Sequence, residues 1–328
     1  MKCVVSGRIE FLDFTRAIAI IGILLCHSSL AIGEGIGRYL GCCFNTVFFL
    51  ISAILMGCKW SNNNYKPFNA RTFLIHRLLR IYSSLIPFLF GIVILCILKN
   101  IDFAVHDIIL DSIGLGWFGS LPGCGHCWFV TGILICYIMF LIMSYKKHLR
   151  KISFRKIYLA IIGVVILSSI MNANYLPGYF FLILFLCAVC FLYANDIICI
   201  ITSKFSIMNC WMIWLIVNLP AVIAFHFNIF EYYRAIAYLG SVLCGCTWLL
   251  LLCRLKPHEG KTISFISMLS YELYLIHHPL CLGPFSIFKL QPWLLATIIM
   301  MFLSLVLAII LNKISGLINH KIMSIIEK

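Results

Sequence analysis

Asp13, Arg16 and His27 interrupt an otherwise apolar stretch, DFTRAIAIIGILLCH, near the start of the chain. Asp13 and Arg16 are three residues apart, so on a helix they can pair across one turn. Arg16 and His27 are separated by a step of eleven. At about 100° per residue, that step returns the histidine to within roughly 20° of the arginine's face, and it lifts the histidine roughly 16 Å along the axis. In a hydrocarbon layer about 30 Å thick, an arginine at one water boundary places the imidazole near mid-membrane. Burying an ionisable group there is expensive, so it carries a functional hypothesis by default. A neutral imidazole can serve as a general base at neutral pH. The other reading is a buried histidine satisfied by a neighbouring helix, with an arginine that marks the cytoplasmic edge. Spacing alone does not choose between the two.

Four further segments hold residues of the right type for a site. In RTFLIHRLLRIYSSLIP, Arg71, Arg77 and Arg80 gather near the start of one apolar run. Arg77 and Arg80 are one helical turn apart and share a face, and their planar guanidinium forks match phosphate oxygens. Topology alone would also put basic residues there. In FFLISAIL, Ser52 and Ala53 are small enough to let helices approach closely. In CGHCWF, Cys124 and Cys127 bracket His126. A disulfide-exchange role would need a thioredoxin-like strand–helix context, which the neighbouring sequence lacks, and a zinc site would want a second ligand pair. A structural disulfide or two free thiols, and no metal, are therefore expected. His126 is a candidate contact for a substrate outside the membrane. In SYELYLIHHPL, Glu272 and His277 are intramembrane ionisable groups five residues apart, off one shared stripe. They read as interhelical hydrogen-bonding groups before catalytic ones.

The elements that must hold these residues are membrane helices. The chain has 328 residues, 63% hydrophobic and 11% charged, with a mean hydropathy of +1.06. Water-soluble domains carry about 25% charged residues. The apolar runs are long and continuous rather than alternating, which disfavours a β-barrel. Runs long enough to cross a bilayer occur at about 11–31, 40–58, 80–98, 128–144, 157–172, 178–195, 208–226, 235–253, 263–285 and 293–315. The fold class expected is all-α, a polytopic membrane protein with about ten transmembrane helices in a single domain over 1–328. Ten crossings put both termini on one side. The segments on that side hold 21 of the 25 Lys and Arg, so the positive-inside rule assigns both termini to the cytoplasm. The same asymmetry accounts for the net charge of +14 without nucleic acid. The first apolar run begins only after Asp13 and contains Arg16, so it reads as a retained helix and not as a cleaved signal. Most of the 17 cysteines lie inside apolar runs, where cysteine behaves as a small hydrophobe. The one long non-cytoplasmic loop, 99–127, carries Asp102, His106, Asp107, Asp111 and a glycine-rich tail, and is expected to fold over the outer opening.

In order along the chain, these motifs resemble the acyltransferase-3 family of integral-membrane acyltransferases. Arg16 and His27 look like its Arg/Lys–ten residues–His signature in the first helix. FFLISAIL looks like its Phe-Phe-x-x-Ser-Gly element, with Ala53 in place of glycine. RLLR, Arg77 to Arg80, looks like its Arg-x-x-Arg element. HCWFVTGILICYIM is similar to its tryptophan segment, here Trp128, Phe129 and Tyr137. SYELYLIHHPL, with Tyr274 and His277, is similar to its late Tyr-Leu-x-His segment. Two features depart from some branches: Thr131 and Gly132 stand where acidic residues follow the tryptophan segment, and no soluble extension follows the tenth run.

The resemblance implies an O-acyltransferase, most simply an O-acetyltransferase, in a bacterial inner membrane. Acetyl-CoA would be the cytoplasmic donor and a lipid-linked or surface polysaccharide, such as the O-antigen of lipopolysaccharide, the acceptor. His27 would be the catalytic base and Arg16 its partner, while Arg71, Arg77 and Arg80 would bind the acyl-CoA phosphates. Asp13, Ser52, His126, Trp128, Tyr137, Tyr274 and His277 would line the site or support it. The alternative is a transporter or flippase, whose polar residues would line a solute pathway. That reading predicts broken helices in two related halves, and the sequence shows no such internal symmetry.

Overall fold

The computed structural model describes residues 10–33, 36–152, 156, 159–160, 162–163, 177–227, 234–255, 260–289 and 292–326. Among them every regular element is helical and no strand occurs. The helices are α1 (Glu10–Ala31), α2 (Ile36–Asn62), α3 (Ala70–Leu98), α4 (Val105–Ser112), α5 (Trp128–Ser144), α6 (Pro177–Leu192), α7 (Ala194–Ser203), α8 (Ile207–His226), α9 (Arg234–Leu255), α10 (Lys261–Met268), α11 (Ser270–Cys281) and α12 (Trp293–Ile326). Six described helical stretches are long and apolar enough to cross a membrane, within α1, α2, α3, the segment Gly125–Ser144, α8 and α12. A bent pair, Tyr179–Leu192 with Ala194–Ser203, turns by 85° and would make a seventh. The expected run 157–172 lies largely outside the described residues. The expected run 263–285 is not one helix: α10 ends at Met268, α11 starts at Ser270, and the helix stops at Cys281, two residues after Pro279. Along α12, Leu294, Leu295, Ile298, Phe302, Leu307, Ile310 and Leu317 are all exposed. An outward face that apolar suits lipid and not water. The chain is a multi-pass membrane protein.

The described residues form two compact units. The first comprises α1 through Cys26, α2, the end of α5 from Ile138, and α6 to α10 up to Ser267. Its α2 packs on α6 and α9, and α9 packs on α8. Where α1 meets α2, a Cβ on Gly22 would lie 2.1 Å from the Phe44 ring, so only glycine fits. Around Tyr39, Cys43, Ala221, Phe225 and Cys244, one polar side chain is fully enclosed. The Asn218 amide accepts from the Tyr39 hydroxyl at 2.6 Å and donates to Trp214 O and Thr247 Oγ1, each at 2.8 Å. Removing one member of a buried network costs about 1–3 kcal/mol, because its partners lose their acceptors or donors. Asn218→Ala is therefore expected to lower the unfolding midpoint in detergent by several degrees. An unchanged midpoint would show that the network adds nothing.

The second unit comprises His27–Gly33, Asn69–Tyr137 and Met268–Lys328. Asn69 caps α3 by accepting from Thr72 N–H at 3.0 Å. Helix α12 packs on α3 and α11, and Ser83 and Ser315 hydrogen-bond across the first of these contacts. The loop between α3 and α5 is folded rather than open. It contains α4 and is pinned by Tyr82 Oη donating to Ile113 O at 2.7 Å and Thr131 Oγ1 donating to Gly114 O at 2.8 Å. Asp111 is buried inside it and accepts from Leu121 N–H at 2.9 Å. Burial pushes its carboxyl up to about 7, and the nearby Asp107 charge adds to this, while the Leu121 N–H pulls the other way.

Candidate active site

Arg16 and His27 lie on one unbroken helix, α1, as their spacing predicts. Asp13 and Arg16 pair at 3.2 Å across one turn. Ser267 joins them, donating to Asp13 Oδ1 at 3.0 Å and accepting from Arg16 at 3.5 Å. Ser267 is 251 residues from Arg16 in sequence, and no local pattern marks it.

His27 is half-buried and belongs to a cluster of four imidazoles in the second unit. Its Nδ1 lies 2.9 Å from His277 Nε2. Its ring centroid is 4.8 Å from those of both His277 and His278. His126 stacks on His278 at 4.5 Å with an 18° interplanar angle. His126 and His277 are buried, and His277 is wholly so.

Backbone carbonyls decide which nitrogens in this cluster carry protons. A carbonyl can only accept, so any ring nitrogen against one must bear the hydrogen. His277 Nδ1 donates to Leu273 O at 2.9 Å, one turn back on its own helix. His278 Nδ1 donates to Gly123 O at 2.7 Å. His126 Nε2 donates to Leu275 O at 3.0 Å. In neutral rings this leaves an acceptor on His277 Nε2, His278 Nε2 and His126 Nδ1. His27 must then donate from Nδ1 to His277 Nε2, and the basic nitrogen of His27 is Nε2. His126 Nδ1 is buried with no hydrogen-bond partner, which normally costs about 1–3 kcal/mol.

The remaining residues fall around this cluster or away from it. Tyr274 Oη donates to His126 O at 2.7 Å and so braces the turn that carries His126. Glu272, on the same helix as His277, is 1% exposed and accepts from Ser84 Oγ at 2.8 Å, with its second oxygen unpartnered. It is an interhelical group in the same unit. Arg77 is half-buried, with its guanidinium 5.9 Å over Phe73 and 5.7 Å over Tyr137, and its Nε is buried and unpartnered. Arg80 is exposed and reaches Met268 O at 3.5 Å. Arg71 is exposed near the start of α3. Trp128 opens α5 and stands edge-on to Trp117 at 6.2 Å. Ser52 is half-buried on α2 in the first unit, beside the fully buried Ala53. His278 belongs to the cluster although only its neighbour His277 was singled out from the sequence. The repeated histidine in IHHP was the available signal, since adjacent residues on a helix point about 100° apart and both must be placed by different partners.

A family model described as an acyltransferase domain matches residues 9–313, nearly the whole chain. No curated protein and no solved structure matches it.

Proposed function

The chain belongs to the acyltransferase-3 family, and from that premise we propose that it is an O-acetyltransferase acting from cytoplasmic acetyl-CoA on a hydroxyl of a lipid-linked or surface polysaccharide, with His27 as general base. The observation that carries the base assignment is the contact between His27 Nδ1 and His277 Nε2 at 2.9 Å. With His277 Nδ1 committed to Leu273 O, the basic nitrogen of the His27 ring is Nε2, the atom assigned to proton transfer. In the proposed step, Nε2 takes the proton of the acceptor hydroxyl while that oxygen attacks the thioester carbonyl. The C–S bond then breaks, and the imidazolium returns its proton to the departing thiolate of coenzyme A. His126 Nδ1, buried and lacking a donor, would accept a second hydroxyl of the sugar and orient it.

Arginine supplies the donor end. Guanidinium groups bind phosphates through paired, charge-assisted hydrogen bonds. Arg80 is exposed and Arg77 half-buried one turn before it, so their guanidinium groups have donors to offer the phosphates of coenzyme A, with Arg71 beyond them. Arg80 reaches the backbone at Met268, two residues before α11 begins. His277 stands seven residues into that helix, a rise of about 10 Å. The phosphates and the reacting thioester would therefore sit at two levels along α11. Arg16 is tied to Asp13 and Ser267 within the first unit.

The test supplies acetyl-labelled acetyl-CoA to inverted membrane vesicles with and without the chain. Alkali-labile label on glycan is expected only with it, and its absence in well-expressing vesicles would sink the reading. Arg80→Ala is expected to raise KM for acetyl-CoA about tenfold, the worth of one charge-assisted hydrogen bond, with kcat little changed. A fall in kcat at constant KM would move Arg80 out of the donor site.

A further inference from the structure

The loop between α3 and α5 brings a third group to the CGHC turn. The Asp111 carboxylate and the Cys124 and Cys127 thiols all lie within 4.8 Å of one another. All three residues are buried, none more than 1% exposed. Both cysteines are free thiols. One carboxylate oxygen of Asp111 takes the Leu121 N–H. The other, Oδ1, is buried with no partner. The space beside it is kept clear: a Cβ on Gly116 would lie 2.7 Å from Asp111 Oδ1 and 2.7 Å from Cys127 Cβ. The turn itself is set by Cys127 N–H donating to Cys124 O at 2.8 Å, immediately before α5.

We propose that Asp111, Cys124 and Cys127 bind a zinc ion that fixes the turn carrying His126. Two thiolates and one carboxylate are a zinc donor set, with bonds of about 2.3 Å to sulfur and about 2.0–2.2 Å to oxygen. Donors around one tetrahedral zinc stand roughly 3.5–3.8 Å apart, so the three need draw in by no more than about an ångström. Thiolates alone would also admit copper(I), but the carboxylate favours zinc. On binding, the two S–H bonds release their protons, two Zn–S bonds and one Zn–O bond form, and nothing is oxidised or reduced. Zinc takes a fourth ligand, which here would be a water. A disulfide between Cys124 and Cys127 would need an oxidant and would leave Asp111 Oδ1 buried and unpaired. The metal satisfies all three groups together. His126 lies between the two cysteines in sequence and donates to Leu275 O, so tethering both cysteines holds its ring against the imidazole cluster. The zinc site stands whether or not the chain transfers acetyl groups.

The experiment measures metal on the whole chain purified in detergent without chelator. Elemental analysis is expected to give about one zinc per chain, the stoichiometry of a single site. Asp111→Asn, Cys124→Ser and Cys127→Ser should each lose most of it, while Asp107→Asn, which changes the neighbouring carboxylate, should keep it. Stripping the wild-type protein with chelator and adding cobalt(II) should produce a thiolate charge-transfer band that returning zinc abolishes. That measurement does not depend on any variant folding. Wild-type protein that takes up neither metal would overturn the proposal. So would a Cys124–Cys127 disulfide found by intact mass in protein prepared without reductant, or an Asp111→Asn chain that retains its zinc.

Discussion

Replacing His27 with alanine is expected to lower glycan O-acetylation about 10²- to 10⁴-fold, the contribution of a positioned general base, while the chain still reaches the membrane. The size follows from what the side chain would do in the reaction. A sugar hydroxyl is a poor nucleophile until its proton has somewhere to go, and two of the other three acceptor nitrogens in the cluster already have work in the proposed step. His277 Nε2 is bound to His27, and His126 Nδ1 is assigned to a second hydroxyl of the sugar. His278 Nε2 is the remaining acceptor, and it would have to reach the same proton to take over the transfer. Half-buried His27 packs less tightly than its wholly buried partner, so truncation should leave the helix α1 intact. The readout is mass spectrometry of the glycan, beside a measure of expression and of unfolding midpoint. His27→Gln separates base from spacer, since it keeps a hydrogen-bonding side chain without a basic nitrogen and should be as inactive as alanine. Full acetylation in well-expressed His27→Ala protein would remove His27 from the chemistry. Loss of acetylation with retained solute movement in acetyl-CoA-free proteoliposomes would instead point to transport.

Local pattern and long-range partner were not equally legible. The Asp13–Arg16 pair is one turn apart, and helical periodicity alone predicts its contact. The continuity of α1 from Glu10 to Ala31 follows from an apolar run without proline, whose one glycine, Gly22, sits where α2 approaches closely. Nothing local announces that His27 meets His277, 250 residues later, or that Ser267 joins Asp13 and Arg16. Such pairs depend on which helices pack together, and intramembrane helices are apolar on every side, so hydropathy carries no record of the neighbour. The run 263–285 reads as one crossing by composition, yet the helix is interrupted at Leu269 and ends at Cys281, where Pro279 has already removed a backbone donor. Asp111 went unpaired with the CGHC turn for the same reason: it lies on α4, thirteen positions before Cys124, and the loop between them carries no second ligand pair that would mark a motif. The family resemblance, in contrast, rests on ordered local motifs, which is why a family match over residues 9–313 agrees with it.

Replacing His277 is expected to cost about ten- to a hundredfold in kcat, the usual price of losing the group that orients a functional histidine, with KM for acetyl-CoA unchanged. His277 touches no substrate in the proposed step; it is a positioning residue that acts through His27. Its Nδ1–H is held by Leu273 O, so its Nε2 can only accept, and that acceptor selects the His27 tautomer with the proton on Nδ1. Without it, the His27 ring is free to flip or to carry its proton on Nε2, which is the wrong nitrogen for a base. His277→Phe fills the volume and removes the acceptor. His277→Gln offers a side-chain oxygen that can accept from His27 Nδ1 and should recover part of the rate. A merely structural role predicts a different pattern: both variants would lower the unfolding midpoint in step with activity, and the glutamine, which buries an unmatched amide donor, would be the worse of the two. The comparison is therefore the kcat ratio of Gln to Phe at matched stability. A ratio above one supports the tautomer argument. A ratio at or below one would mean that the 2.9 Å contact holds the helices together and does nothing for the proton.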